Sequence, residues 1–206
     1  RFEHLHISNN GQDCVRMEGT FRLVLNDIHC SIPATGRDGF RFGPSDAGSS
    51  SVSNSLITAN NLYSSGATTG NWNFNLGVSI SPSPNGLTTV NRFYSLTASD
   101  PPATGGGVQV IAAGVTEISG GHVEGITTAY TFAGSGNGVV CNGCNSKDTT
   151  TAFTISEGSV VLNLPKADTA ATCFNITGTS FTGVVINSAV GCTTVSGVGA
   201  EVVTRL

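Results

Sequence analysis

Several short segments flank one apolar residue with polar, ionisable or aromatic side chains. They are His6-Ile7-Ser8, Asp27-Ile28-His29, Asn61-Leu62-Tyr63, Arg92-Phe93-Tyr94, His122-Val123-Glu124 and Gly143-Cys144-Asn145. Alternation of this kind turns the middle residue inward and its neighbours outward. If the segments stack, Asp27, Asn61, Arg92 and His122 form one outward column, and His29, Tyr63, Tyr94 and Glu124 form another. Aromatic faces beside hydrogen-bonding side chains suit a sugar. A base such as His122, with Arg92 neutralising a uronate carboxylate, suits a lyase.

Glycoside hydrolysis needs two carboxyl groups, about 5–5.5 Å apart for retention or about 6.5–9.5 Å for inversion. At about 4.8 Å per rung, Asp27 and Glu124 stand three rungs or about 14 Å apart, too far for a direct pair. Glu124 meets Asp100 only if the Ala98–Gly107 segment folds over the face. The bland alternatives stay open. The same columns could pack against a second subunit, where Tyr and Arg are enriched, and any single His or Glu could be an ordinary exposed polar residue.

The elements that would hold these side chains are β-strands. Charged residues make up 11% of the 206, against about 25% in an ordinary globular protein. Gly (27 residues), Ser, Thr, Asn and Val dominate instead, a turn-forming and β-branched composition that predicts an all-β protein. The least poor helix candidate, 111–118, is weakened by Gly114 and Thr116. The apolar members Ile7, Ile28, Leu62, Phe93, Val123 and Cys144 form one candidate ladder. Val15, Phe40, Phe74, Val108, Tyr130, Phe153 and Phe174 form a second.

Their shared minimum step of about 21 residues predicts a single-stranded right-handed parallel β-helix, a solenoid of about seven coils. Asn26, Asn60, Asn91 and Asn142 recur near the first ladder and predict a stack of amides at one corner. Beyond about residue 157 the register blurs. Val160, Leu162 and Leu164 alternate, and so do residues 179–182, but no single ladder takes both.

Residues 1–206 read as one domain, cut from a longer chain because it opens inside the strand-like Phe2–Ser8. Coils 1–107 are enlarged at Ser31–Asp38, Pro44–Ser53, Ser64–Trp72, Ser79–Leu87 and Ala98–Gly107, whereas coils 108–206 are minimal. Insertions at matched positions stack as neighbouring loops and commonly wall a binding face. Trp72, the only tryptophan, ends one of them.

A net charge of −4 without a basic cluster argues against nucleic acid. No apolar run reaches membrane-spanning length. No phosphate-binding loop, dinucleotide fingerprint or nucleophile elbow is present, so no cofactor is expected. Asp46 and Asp100 lack a calcium-loop pattern, and Asp38 reads as turn chemistry. Cys141-Asn-Gly-Cys144 lacks the second pair that zinc would need, so no metal is expected. The six cysteines read mostly as small core residues, with disulfides open to an extracellular particle.

With this coil period, and with Ile118–Gly125 similar to a coil found in many of its members, the chain resembles the right-handed β-helices of bacteriophage tailspikes and the related pectate-lyase-like superfamily. The resemblance covers most of the chain, without the family's helical cap or an identifiable trimerisation element. It implies a homotrimeric, extracellular spike on a virion surface that works with other virion proteins and binds host-surface polysaccharide. Some members cleave that polysaccharide with paired carboxylates. Three functions follow as expectations: a polysaccharide-recognising receptor-binding domain, a depolymerase on the same face, or a structural shaft without glycan binding. The expected glycan-binding residues are Arg92, Tyr94, Tyr63, His29, Asp27 and Trp72. The expected catalytic residues are Glu124, His122 and Asp100.

Overall fold

The computed structural model describes residues 1–8, 12–17, 22–31, 36–42, 56–68, 70–77, 90–99, 105–111, 115–197 and 202–205. Among them all regular structure is β-strand and every named pairing is parallel, giving a parallel β-solenoid. The weak helix candidate at 111–118 falls instead on the strands Gly106–Ile111 and Val115–Ser119. In a parallel ladder each coil hydrogen-bonds to the coils before and after it, so equivalent positions stack along the axis.

Each coil has three faces. On the first, the inward column is Leu25, Ala59, Phe93, Ile118, Cys141, Leu162 and Ile186, all at most 2% exposed. The second face carries two inward columns. One is Leu5, Ile28, Leu62 and Leu96; the other is Ile7, Cys30, Ser64, Ala98, Val123, Ser146 and Ala167.

The third face carries Val15, Phe40, Phe74, Val108, Tyr130, Phe153, Phe174 and Val195. The second sequence ladder is therefore present member for member. Its rings stack at 5.0 Å for Phe40 on Phe74, 5.1 Å for Tyr130 on Phe153 and 5.3 Å for Phe153 on Phe174. Such pairs add to burial by about 0.5–1.5 kcal/mol each. Tyr130 donates its hydroxyl to Asn145 O at 3.0 Å, so the buried phenol keeps a partner.

The first ladder does not form as one column. Ile28 does stack on Leu62, but Ile7 stacks on Cys30, Val123 on Ala98, and Phe93 on Ala59 and Ile118 across a corner. The cause is a left-handed residue inside what reads as continuous strand: His4, Asp27, Asn61 and Ser95 all have φ between 51° and 56°. A period-two count through such a residue slips by one. Inward side chains lie two before the corner and one after it, as in Ala59 and Leu62 or Phe93 and Leu96. Gly120, Gly143, Leu164 and Ser188 continue the corner column, also with positive φ. Leu164 is thus a corner residue, 61% exposed; Val160 and Leu162 align with Val184 and Ile186, and Ser180 and Phe181 align with Glu157 and Gly158, which accounts for the misfit seen beyond residue 157.

The residue before this corner builds the amide stack. Asn60 Nδ2 donates to Asn26 Oδ1 at 2.8 Å, and Asn26 Nδ2 to Glu3 Oε1 at 2.8 Å. Asn163 donates to Asn142 at 2.8 Å and Asn187 to Asn163 at 2.7 Å. Asn91 is not a member: it aligns with Thr116, and its Oδ1 accepts from Ile57 N at 3.1 Å. Tyr94 and Ser119 occupy the intervening positions.

Four of the six cysteines pair, Cys14 with Cys30 and Cys141 with Cys144, so most are not simple core thiols. Cys141 and Cys144 flank the corner residues Asn142 and Gly143 and are both fully buried.

The aromatic stack sets the stability of the third face. Phe153→Ala is expected to cost about 3–5 kcal/mol in denaturant-induced unfolding, because its ring touches both neighbouring rings. Thr154→Ala, on the outward side of the same strand, is expected to stay within about 0.5 kcal/mol.

Candidate functional site

On the second face the outward positions form two columns. One is His6, His29, Tyr63, Thr97, His122, Asn145 and Lys166. Its neighbour passes through Ser8, Ser31 and Ser65, then Ser99, Glu124, Lys147 and Asp168.

Aromatic and imidazole rings lead the first column. His6 and His29 stack with centroids 4.6 Å apart, and His29 meets Tyr63 edge-on at 4.2 Å. Both histidines bring Nε2 to Ser31 Oγ, at 3.4 and 3.2 Å. Partial desolvation, then the neighbouring His6, lowers the His29 pKa from its ordinary value, because a charged imidazolium is disfavoured beside another.

Further along, charges alternate. Glu124 Oε1 lies 2.5 Å from Lys147 Nζ, and Glu124 Oε2 lies 3.5 Å from His122 Nε2. Lys166 pairs with Asp168 at 2.6 Å. Lys147 and then His122 hold the Glu124 carboxyl below the usual carboxylate range, and Glu124 in turn raises the Lys147 ammonium. Glu124 therefore stays ionised near neutral pH. It can accept a proton or a hydrogen bond, and it is not poised as a general acid.

The structure redistributes the residues singled out from sequence. His29, Tyr63, His122 and Glu124 share the second face. Asp27 sits on the corner beside it, where it accepts from Asn61 Nδ2 at 2.8 Å and contacts His4 Nδ1 at 2.7 Å. Tyr94 lies on the other side of that corner, in the amide column, and so does not continue from Tyr63. Arg92 aligns with Thr58 and Glu117 and donates Nε to Glu117 Oε2 at 3.3 Å. Arg92 and His122 are thus not neighbours in one column, and the lyase pairing built on their adjacency is lost. Asp100 and Asp46 lie outside the described residues, as do Pro44–Ser53 and Ser79–Leu87.

Trp72 opens the third face. Its indole lies over Gly106, where an added Cβ would fall 2.2 Å from the ring. Gly70, Asn71, Trp72, Gly105, Gly106, Thr127 and Thr128 line an open cleft of about 170 Å³. Asp38 positions this element. Its side chain is only 4% exposed. It accepts from Trp72 N and from Asn75 Nδ2, both at 2.8 Å, with Arg41 Nη1 at 3.6 Å. Burial raises the Asp38 pKa despite those donors. The sequence offers Asp38 only as a turn residue. Its buried role follows from the register that brings it beside Trp72.

Lys147, Lys166 and Asp168 were also missed. They sit in the minimal coils, where no aromatic residue marks the face, and only equal spacing from His122 and Glu124 could have found them. Among the described residues no cluster of three or more His, Cys, Asp or Glu forms a metal site, and no helix is long and apolar enough to cross a membrane.

No family model, curated protein or solved structure matches the chain. The functional reading therefore rests on the side chains that the coils bring together.

Two titrations check this electrostatic description. Removing the ammonium in Lys147→Gln is expected to raise the Glu124 pKa toward the ordinary carboxylate value, read from the Glu124 carboxyl carbon by NMR. For His29 the folded pKa lies below the unfolded one. Its contribution to stability is therefore complete above about 6.5 and declines as pH falls through that value toward the folded pKa. His29→Gln is expected to flatten that decline in pH-dependent unfolding, and an unchanged slope would show that His29 is not its source.

Proposed function

We propose that the chain is a receptor-binding domain that recognises host-surface polysaccharide along the second face, as a right-handed coil wall of a homotrimeric spike on a virion surface. One observation carries the reading: the outward column of His6, His29, Tyr63, Thr97, His122, Asn145 and Lys166, one side chain per coil. A polysaccharide repeats ring faces and hydroxyl groups along its length, and a solenoid repeats its binding groups along its axis. Tyr63 and His29 offer ring edges and faces for stacking. Ser31, Thr97 and Asn145 offer neutral donors and acceptors, and Glu124 accepts from sugar hydroxyls. The cleft at Trp72 adds an aromatic wall with glycines beneath it, a surface that a pyranose ring can cover.

Lys147 and His122 lower the Glu124 pKa, which argues against Glu124 as the proton-donating acid of a hydrolase. Tyr63 is only half-buried, which leaves its ring edge for a ligand.

A glycan array on the purified assembly tests this. Tyr63→Ala is expected to weaken binding by about tenfold, or about 1.4 kcal/mol, with Trp72→Ala weakening it further and the assembly mass unchanged. Binding indifferent to both substitutions would move the receptor site off these faces. A Tyr63→Ala variant that lost its partners would make the second face a subunit contact. Reducing-end release from the bound polysaccharide would establish the depolymerase instead.

A further inference from the structure

Two of the six cysteines, Cys173 and Cys192, carry free thiols. Cys173 is buried, and Cys192 is partly buried and packed against the core. The backbone on both sides of Cys192 touches Cys173. Cys173 N donates to Thr194 O at 2.9 Å, and the Cys173 thiol reaches Gly191 O at 3.9 Å. The two side chains are themselves within hydrogen-bonding contact.

The arrangement has a counterpart at the opposite end of the described solenoid. Cys14 immediately precedes Val15, and Cys173 immediately precedes Phe174; Val15 and Phe174 belong to one column. Cys14 bonds Cys30, which lies at the end of the second face in the next coil, with a Cα–Cα distance of 5.9 Å and a separation of 16 residues. Cys192 follows Gly191, which packs on Ala167 of the coil before it, and Ala167 ends the column that contains Cys30. Gly191, aligned with Ala167, holds the position equivalent to Cys30, and Cys192 is the next residue, so both pairs span from the entry of the third face in one coil to the end of the second face in the next, the second pair offset by one residue. Cys14 and Cys30 satisfy that geometry as a cystine.

We propose that Cys173 and Cys192 form a third disulfide, linking two adjacent coils as Cys14–Cys30 does. With oxidised glutathione as the oxidant, the half-accessible Cys192 attacks first. Its thiolate displaces one glutathione thiolate and leaves a Cys192–glutathione mixed disulfide. The Cys173 thiolate then displaces the second glutathione. Two electrons pass from the protein thiols to the oxidant, and their two protons end on the two released glutathione thiols. Burial and contact with Cys173 raise the Cys192 pKa, so closure is expected to be slow at neutral pH and faster under mild alkali.

The test uses the whole chain, purified with Cys14–Cys30 and Cys141–Cys144 intact and incubated with oxidised glutathione. Thiols are titrated after denaturation, and proteolytic peptides are mapped by mass. The expected result is loss of both free thiols and of two hydrogens in mass, a peptide joining Cys173 to Cys192, and a thermal midpoint raised by several degrees. The Cys173→Ser variant is expected to stop at a glutathione adduct on Cys192. Two thiols still titratable after oxidation, a stable adduct on Cys192 in the unsubstituted protein, or either cysteine mapped to another partner would overturn the proposal.

Discussion

The parallel hydrogen-bond ladder between coils is the constraint from which the rest follows. Backbone donors and acceptors must be satisfied, and here the partners of one coil lie in the coils before and after it. This fixes the axial spacing and forces each position to stand above its equivalent. A phenylalanine at one position then favours an aromatic at the same position one coil on, because the rings are brought to stacking distance. The same rule orders the polar side: an asparagine before the corner finds another amide at hydrogen-bonding distance, and each one that joins gives its neighbour a partner. Packing, corner chemistry and surface columns are three consequences of one repeat distance.

How legible this was depended on whether the chain stays extended. The third face was readable because its strands have no left-handed residue in them. From Val15 to Phe174 the apolar positions keep strict alternation, and the minimal coils after Val108 keep nearly constant spacing. The first two faces were misread because they meet at a corner of one residue. Asn61 and Ser95 look like ordinary strand residues in sequence, yet their positive φ ends one face and starts the next. Phe93 and Leu96 both point inward on either side of the corner, so a ladder that takes Phe93 alone as the core residue of this coil places Arg92 and Tyr94 on the wrong face. The same slip put Asn91 into the amide stack in place of Tyr94. A signal was present: Asn or Ser followed by Asp, Asn, Ser or Gly recurs at most of these corners, and Gly, Asn and Asp among them tolerate the left-handed conformation best.

The surface chemistry follows the change in coil style. In the enlarged coils the second face presents His6, His29 and Tyr63, rings in mutual contact with few charges. In the minimal coils it presents Glu124, Lys147, Lys166 and Asp168, paired across and along the rungs. A polymer lying along this face would meet a stacking surface first and an alternating ionic surface next. Ion pairs at such exposure contribute little to stability. Near neutral pH Glu124 is an acceptor and Lys147 a donor, and the two lie within hydrogen-bonding distance of each other. That suits hydrogen-bond recognition of hydroxyl groups, which needs donors and acceptors whose roles do not change near neutral pH.

Two disulfides add covalent bonds to the hydrogen-bonded coils, one between adjacent coils and one across a corner. Cys14–Cys30 ties one coil to the next; Cys173 stands where Cys14 does in its own coil, and Cys192 lies one residue past the position equivalent to Cys30. Cys141–Cys144 serves a different need. It spans the corner at Asn142 and Gly143, where the amide stack resumes after Tyr94 and Ser119, and so restrains the one turn that must restart the ladder without an asparagine beneath it.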